Sequence, residues 1–306
     1  MPAGRRLDGA RQTAQSQPMA LANAIGDRPK PKQKPGPNAL SPLLAGGRPL
    51  VMGILNITPD SFSDGGRFLD PAAAIAHGRA MAEQGADILD VGAESTRPYG
   101  GATPVPAEEE KARLASVLPE LVKLGLPVSI DTIKAGIAAW ALDLGVSIVN
   151  DVWGLQRDPA MAPLVAARGV PVIVMHNRNA ADAGIDIMTD IHEFFARSLA
   201  IAARAGIARD KLVLDPGIGF GKTPEQSITC IARLSEFKRY GLPIMVGASR
   251  KRFISSVTPA APDARIGGSL AAHLMAVANG AAIVRVHDVA ETVQALRVRA
   301  AIEDAR

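Results

Sequence analysis

Leu212-Val213-Leu214-Asp215-Pro216-Gly217-Ile218-Gly219-Phe220-Gly221-Lys222-Thr223 holds in one stretch the unit from which this chain is built. An apolar run the length of a buried strand stops on an ionisable residue. A proline and glycines at 217, 219 and 221 then turn the backbone, and a helical stretch follows from Ser227 to Phe237. The same succession of apolar run, polar tip and Ala/Leu-rich helix is found along the rest of the chain. The other runs are Leu50 to Leu55 into Asn56, Ile88 to Val91 into Glu94, Val128 to Ile130 into Asp131, and Ile148 and Val149 into Asn150. Val172 to Met175 runs into His176, Ile244 to Val246 into Ser249, and Ile283 and Val284 into Arg285. Strands that alternate with helices pair in parallel through crossovers, and eight such units match a sheet closed on itself, a (β/α)8 TIM barrel. Active sites of that fold are built at the carboxyl ends of the strands, where the polar tips fall, so the organisation predicts an enzyme.

A chain of 306 residues accommodates one barrel of about 250 residues and a tail. With 47% hydrophobic and 21% charged residues it has material for a single large core. No apolar stretch approaches the roughly 20 residues of a membrane span, and no membrane association is expected. The pI near 9.4 resembles a nucleic-acid signal until the charges are located. Residues 1 to 40 carry seven Arg and Lys against two Asp, a net of +5, so the total of +4 leaves −1 for the rest. Basicity therefore belongs to the tail, and no nucleic-acid partner is expected. The Pro/Lys-rich segment Arg28 to Pro37 buries too little apolar surface to offset its ordering, which predicts a disordered tail over 1–45 and a barrel over 46–306. The tail lacks the continuous apolar core of a secretory signal, and a single cysteine, Cys230, allows no intrachain disulfide, so a cytoplasmic setting is expected. Cys230 lies in a helical stretch and reads as a core residue.

The tips carry the chemistry. After Asn56 the chain continues Ile57-Thr58-Pro59-Asp60-Ser61-Phe62-Ser63-Asp64-Gly65-Gly66, which offers oxygen ligands to a hard cation and equally fits an ordinary Asp/Ser turn. The loop from Gly92 to Gly101 exceeds the usual length of such connections; its Thr96 and Arg97 suit a planar anion, while Glu94 reads best as an anchor for the loop. Asp131 and Asn150, a carboxylate and an amide at neighbouring tips, can read the donor and acceptor edge of a flat heterocycle. Asp131 and Asp151 also fit as caps of the helices that follow, and that can be the whole role of one of the two. The Asp215 loop resembles a phosphate-binding loop but fails on spacing, because Gly217 and Gly221 enclose three residues where that motif needs four. What remains is a carboxylate able to accept two parallel hydrogen bonds from a 2-amino-pyrimidinone edge. Ser249-Arg250-Lys251 and Arg285-Val286-His287 bring cations to the last two tips, where barrels commonly bind phosphate. Arg285 and His287 are two apart and fall on one side of a strand. His77, His192 and His273 read as packing or surface residues, and His176 as a site or supporting residue.

Together these segments resemble the dihydropteroate synthase family of the folate pathway, from about Leu50 to Glu303. The similarity rests on Gly53 to Gly66, Glu94 to Pro98, Ser129 to Thr132, Asn150 to Val152, Asp215 to Lys222, Ser249 to Lys251 and Arg285 to Asp288, in order and at barrel tips. The resemblance implies condensation of a dihydropterin-methyl diphosphate with 4-aminobenzoate, in an SN1-like step assisted by Mg²⁺, in a homodimeric transferase. By that resemblance Asp131, Asn150, Met175, Asp215 and Lys251 bind the pterin, and Arg285, His287 and Asn56 bind the diphosphate, with Asn56 as the metal ligand. Asp131, Lys251, Arg285 and His287 are the implied catalytic set. Phe62, Thr96, Arg97, Pro98, Phe220 and Ser249 are implied for 4-aminobenzoate. This chain departs from the family at Tyr99-Gly100, an apparent two-residue insertion in the aminobenzoate loop. Sulfonamides mimic that substrate, and the insertion keeps the family's drug response from being carried over. Two other classes fit parts of the pattern. A pterin-binding module of a corrinoid methyltransferase would lack the aminobenzoate loop paired with the Arg285/His287 grip. A barrel glycosidase using Glu94 or Asp131 with Asp215 would need stacking platforms, which 4% aromatic residues make scarce.

Overall fold

The computed structural model describes residues 39–58, 70–94 and 105–306. Eight parallel strands are present: β1 Leu50–Asn56, β2 Ile88–Gly92, β3 Val128–Asp131, β4 Ile148–Asp151, β5 Val172–Met175, β6 Leu212–Asp215, β7 Met245–Val246 and β8 Ile283–Val286. Their order is β6-β5-β4-β3-β2-β1-β8-β7. A parallel bridge from Leu214 to Ile244, with the Leu214 N–H donating to the Pro243 carbonyl at 2.9 Å, joins β6 to the entry of β7 and closes the ring. The expected barrel is thus the observed one.

Helices follow each strand, and their ends are set by local chemistry. Asp70 accepts from the Ala72 N–H ahead of Pro71–Gln84, with Pro71 in the first turn and Gly85 in the left-handed cap position. Thr223 and Gln226 form a reciprocal capping box for Pro224–Ala232. Asp186 accepts from the Thr189 N–H at the start of Ile187–Ala205.

Side chains alternate across each strand, and both faces are covered, so the strands read as continuous apolar runs. Outward-facing Val51, Leu89, Val128, Ile130, Val149, Val172, Leu214, Val246 and Val284 pack with the helices. Inward-facing Leu50, Met52, Ile88, Ile148, Ile173, Val213, Met245 and Ile283 form a separate apolar cluster inside the barrel. Two residues further along several of the same strands, on the same face, stand Asp90, Asn150, Met175, Asp215 and Arg285. The period of two therefore turns an apolar floor into a polar ceiling in one step.

The floor is closed from below. Leu40, 3% exposed, joins the inner cluster with half-buried Leu43 and Leu44 from the helix Ser41–Leu44. Arg48 clamps both oxygens of Asp87, at 2.9 and 2.6 Å, and Asp87 Oδ2 also accepts from the Val51 N–H at 2.9 Å. The stretch 39–45, grouped with the tail on composition, thus contributes to the barrel floor; the rest of the tail, 1–38, lies outside the described residues. Among the described residues no helix is long and apolar enough to cross a membrane. Cys230 is buried, and burial pushes its thiol up to about 11, as suits a core residue.

Leu40→Ala removes a buried side chain from this floor and is expected to lower stability by roughly 2 kcal/mol or more, read as an earlier midpoint in urea. An unchanged midpoint would show that the barrel does not depend on this plug.

Candidate active site

The polar ceiling centres on Arg285 of β8. Its Nε donates to Asp90 Oδ2 at 2.6 Å, and a terminal guanidinium nitrogen, Nη2, donates to Asp131 Oδ2 at 2.7 Å. Asn150 Nδ2 donates to the same Asp90 oxygen at 3.0 Å. All four side chains lie in the barrel interior, with Asp90 fully buried. One guanidinium faces two carboxyl groups, so the burial of negative charge is incompletely offset. Burial pushes Asp131 up to about 7, Arg285 opposes the shift, and Asp90 adds to it. Among the described residues Asp131 Oδ1, Asp90 Oδ1 and Asn150 Oδ1 are buried without a donor, an arrangement that favours a donor-rich guest.

Asp215 and Lys251 form the second pole. Asp215 Oδ1 accepts from the Gly217 N–H at 2.7 Å; burial raises its pKa, and Lys251 opposes that shift. Lys251 donates to the Ile218 carbonyl and sits 4.3 Å over the Phe220 ring. Burial pushes its ammonium down to about 7, against the attraction of Asp215. Gly219, at φ 79°, leaves room for the Lys251 stem, which a Cβ there would meet at 3.1 Å. Met175, Val152 and Phe220, with half-buried Ile133 and Trp153, form an apolar wall beside these charges. Asn56 ends β1 opposite Gly92 of β2.

Other tips prove structural. Asp151 accepts from the N–H groups of Trp153 and Leu155 at 2.8 and 2.7 Å and so caps its own turn, leaving Asp131 as the one that faces inward. Glu94 accepts from the Val105 N–H at 3.3 Å and pairs with Lys134, which also binds Glu110 at 2.6 Å, an anchoring role. Arg250, in the left-handed region at φ 57°, is engaged through two guanidinium nitrogens by Asp288 and does not join the anion-binding cations. Ser249 Oγ accepts from the His287 N–H at 3.2 Å and lies 3.0 Å from His287 Nδ1, which ties the last two tips together. His273 Nε2 accepts from the Ala248 N–H at 3.2 Å, a packing role.

Phe62, Thr96, Arg97 and Pro98, with the Tyr99-Gly100 insertion, lie outside the described residues. Among the described residues no group of three His, Cys, Asp or Glu side chains could hold a metal ion. Sequence reasoning missed Asp90, whose signal was present: an ionisable residue at an inward position of an otherwise apolar strand, two after Ile88. It also missed Lys222, which turns away from the mouth into a buried site.

A closed parallel barrel with convergent, pKa-shifted groups at its carboxyl-end mouth defines a barrel enzyme. Residues 52–287 match the family described as pterin binding enzyme, and the chain belongs to that family. Dihydropteroate synthase of Bacillus subtilis is 44% identical over 244 residues, covering 78% of this chain and 84% of that protein. A solved structure of Xanthomonas albilineans dihydropteroate synthase with 4-aminobenzoic acid superposes with a TM-score of 0.81 at 43% identity, covering 89% of this chain and 99% of that one. The same enzyme in complex with 7,8-dihydropteroate gives 0.77 at 43% identity, covering 84% and 94%. This protein is accordingly a transferase of folate biosynthesis, of the dihydropteroate synthase type.

A Cβ on Gly217, at φ 66°, would fall inside contact distance of the His176 carbonyl, whereas one on Gly169, at φ 62°, meets nothing within 4 Å. Gly217→Ala is expected to displace Asp215 and cut kcat/KM on the order of a hundredfold. Gly169→Ala should lower stability by roughly 1 kcal/mol with unchanged kinetics. Equal kinetic effects of the two would detach the Asp215 turn from the site.

Proposed function

We propose that the enzyme condenses (7,8-dihydropterin-6-yl)methyl diphosphate with 4-aminobenzoate to give 7,8-dihydropteroate and diphosphate. The observation that carries this reading is the buried cluster of Arg285, Asp90, Asp131 and Asn150 beside the Asp215/Lys251 pair. Asp215, Asn150 and Asp131 hold the donor edge of the aminopyrimidinone ring, and Lys251 donates to its carbonyl and ring nitrogen. Met175 flanks the ring. Held this way, the methylene is oriented for attack.

Arg285 and His287 bind the departing diphosphate from the adjacent tips. Asn56, an amide oxygen at the mouth, would hold Mg²⁺ as a single protein ligand, because that ion keeps waters and binds largely through substrate phosphates. A Mg²⁺ held there would supply positive charge toward the leaving oxygens. The methylene C–O bond breaks first, and its electron pair leaves with the diphosphate. The pterin-methyl cation that remains lies beside Asp131, whose negative charge, unfavourable in the resting site, is matched by the developing positive charge. The aniline nitrogen attacks that carbon and releases its proton to solvent. Thr96, Arg97, Pro98, Phe62, Phe220 and Ser249 are the proposed contacts of 4-aminobenzoate. A homodimer is proposed on the family resemblance, and the exposed apolar side chains Ile228, Met275, Val298 and Ile302 offer surface for it.

The test is diphosphate release with Mg²⁺ and the dihydropterin diphosphate, with and without 4-aminobenzoate. Stoichiometric, aminobenzoate-dependent dihydropteroate is expected; pterin binding without product would contradict the synthase reading. Arg285→Ala should weaken the diphosphate substrate by about tenfold or more beyond any effect on a dihydropterin lacking the diphosphate. An equal loss for both ligands would refute its leaving-group role.

A further inference from the structure

Lys222 is charged, 1% exposed and used by no step of the reaction. Its side chain turns back beneath its own loop. The ammonium donates to the Gly217 carbonyl at 2.8 Å, the Phe220 carbonyl at 3.1 Å and His176 Nδ1 at 2.7 Å. A lysine ammonium only donates, so His176 Nδ1 must accept, and the ring proton must sit on Nε2. Nε2 lies 2.9 Å from Asp190 Oδ2, the acceptor that tautomer requires. Burial and Lys222 hold the imidazole neutral, with a pKa pushed down to about 4. Arg178 donates to the other Asp190 oxygen at 2.7 Å, and the bonds from His176 and Arg178 push Asp190 down to about 2. Burial pushes Lys222 down to about 8; Cys230, Asp215 and Asp190 oppose that shift and Arg178 adds to it.

The loop so gripped carries the ring-reading groups. Gly217 donates to Asp215, Ile218 accepts from Lys251, and Phe220 lies under the Lys251 ammonium. The His176 N–H also donates to the Asp215 carbonyl at 2.9 Å, which joins strand end and loop.

We infer that Lys222 is a positioning residue for the pterin: seated on a His176 whose tautomer Asp190 fixes, it holds the Gly217–Phe220 turn in the shape that aims Asp215 and Lys251 at the ring. The inference rests on the pterin reading of the pocket given above. Asp190 acts here at a distance from the reacting atoms, through two hydrogen bonds. In Asp190→Asn the amide oxygen stays with Arg178, and the amide nitrogen faces His176 Nε2. The ring proton then moves to Nδ1 and opposes the ammonium.

The test is calorimetric binding of 6-hydroxymethyl-7,8-dihydropterin, paired with ¹⁵N NMR of the His176 ring and the KM for 4-aminobenzoate. Lys222→Met is expected to weaken the dihydropterin by about tenfold or more, well beyond any rise in the aminobenzoate KM. Asp190→Asn, altered at a partly exposed position and so spared a core defect, is expected to move the ring proton from Nε2 to Nδ1 and weaken the dihydropterin by about threefold or more. A moved proton with unchanged affinity, or equal losses for both substrates in Lys222→Met, would overturn the inference. Wild-type protein that bound no dihydropterin would overturn the pterin reading and the inference together, whereas wild-type binding retained in both variants overturns the inference alone.

Discussion

One guanidinium, Arg285, faces two carboxyl groups, Asp90 and Asp131, inside a barrel whose floor is hydrocarbon. Burying such groups costs roughly several kcal/mol per ion, which ion pairing offsets only in part. The barrel can bear that because its stability comes from the two apolar clusters, inside and outside the sheet. The result is a fixed field of buried charges, which needs little reorganisation when charge develops on a substrate. Asp131, raised to about 7, records the charge that the cluster alone does not offset. In the proposed reaction the pterin-methyl cation supplies the offset, so the transition state relieves a tension already present in the protein.

Around this cluster the remaining tips divide by how their polar groups are engaged. Asp151 closes its own turn, Glu94 pairs with Lys134, and Arg250 pairs with Asp288; all three are satisfied within the protein. Asp131, Asp90 and Asn150 each keep a buried oxygen without a donor among the described residues, at the same end of the strands.

The architecture was legible because a parallel barrel imposes its rhythm on the chain: short apolar run, polar tip, helix. The strand ends at Asp131, Asp215 and Asn56 coincide with polar tips of the sequence. Asp90 escaped notice because attention to tips looks past the strand interior, although its position two beyond Ile88 places it in the ceiling. Lys222 carried no signal of its own in the sequence, because only the path of its side chain reveals the buried seat on His176. Arg250 and Asp151 could not be sorted from their neighbours by residue type, since their partners, Asp288 and the Trp153 and Leu155 amides, are set by backbone turns. The floor plug at Leu40 was hidden by the basic composition of the residues before it.

In the proposed reaction an under-neutralised Asp131 and a burial-weakened Lys251 work together, the one ionised and the other protonated. Because burial brings both to about 7, the two requirements overlap only near neutrality. The direct measurement is the pH dependence of kcat/KM for the dihydropterin diphosphate in the wild-type enzyme and in Asp131→Asn. A narrow bell centred near neutrality, whose acid limb vanishes in Asp131→Asn, is the predicted result; a wild-type profile flat from about pH 6 to 8, or an acid limb that survives the substitution, would contradict it.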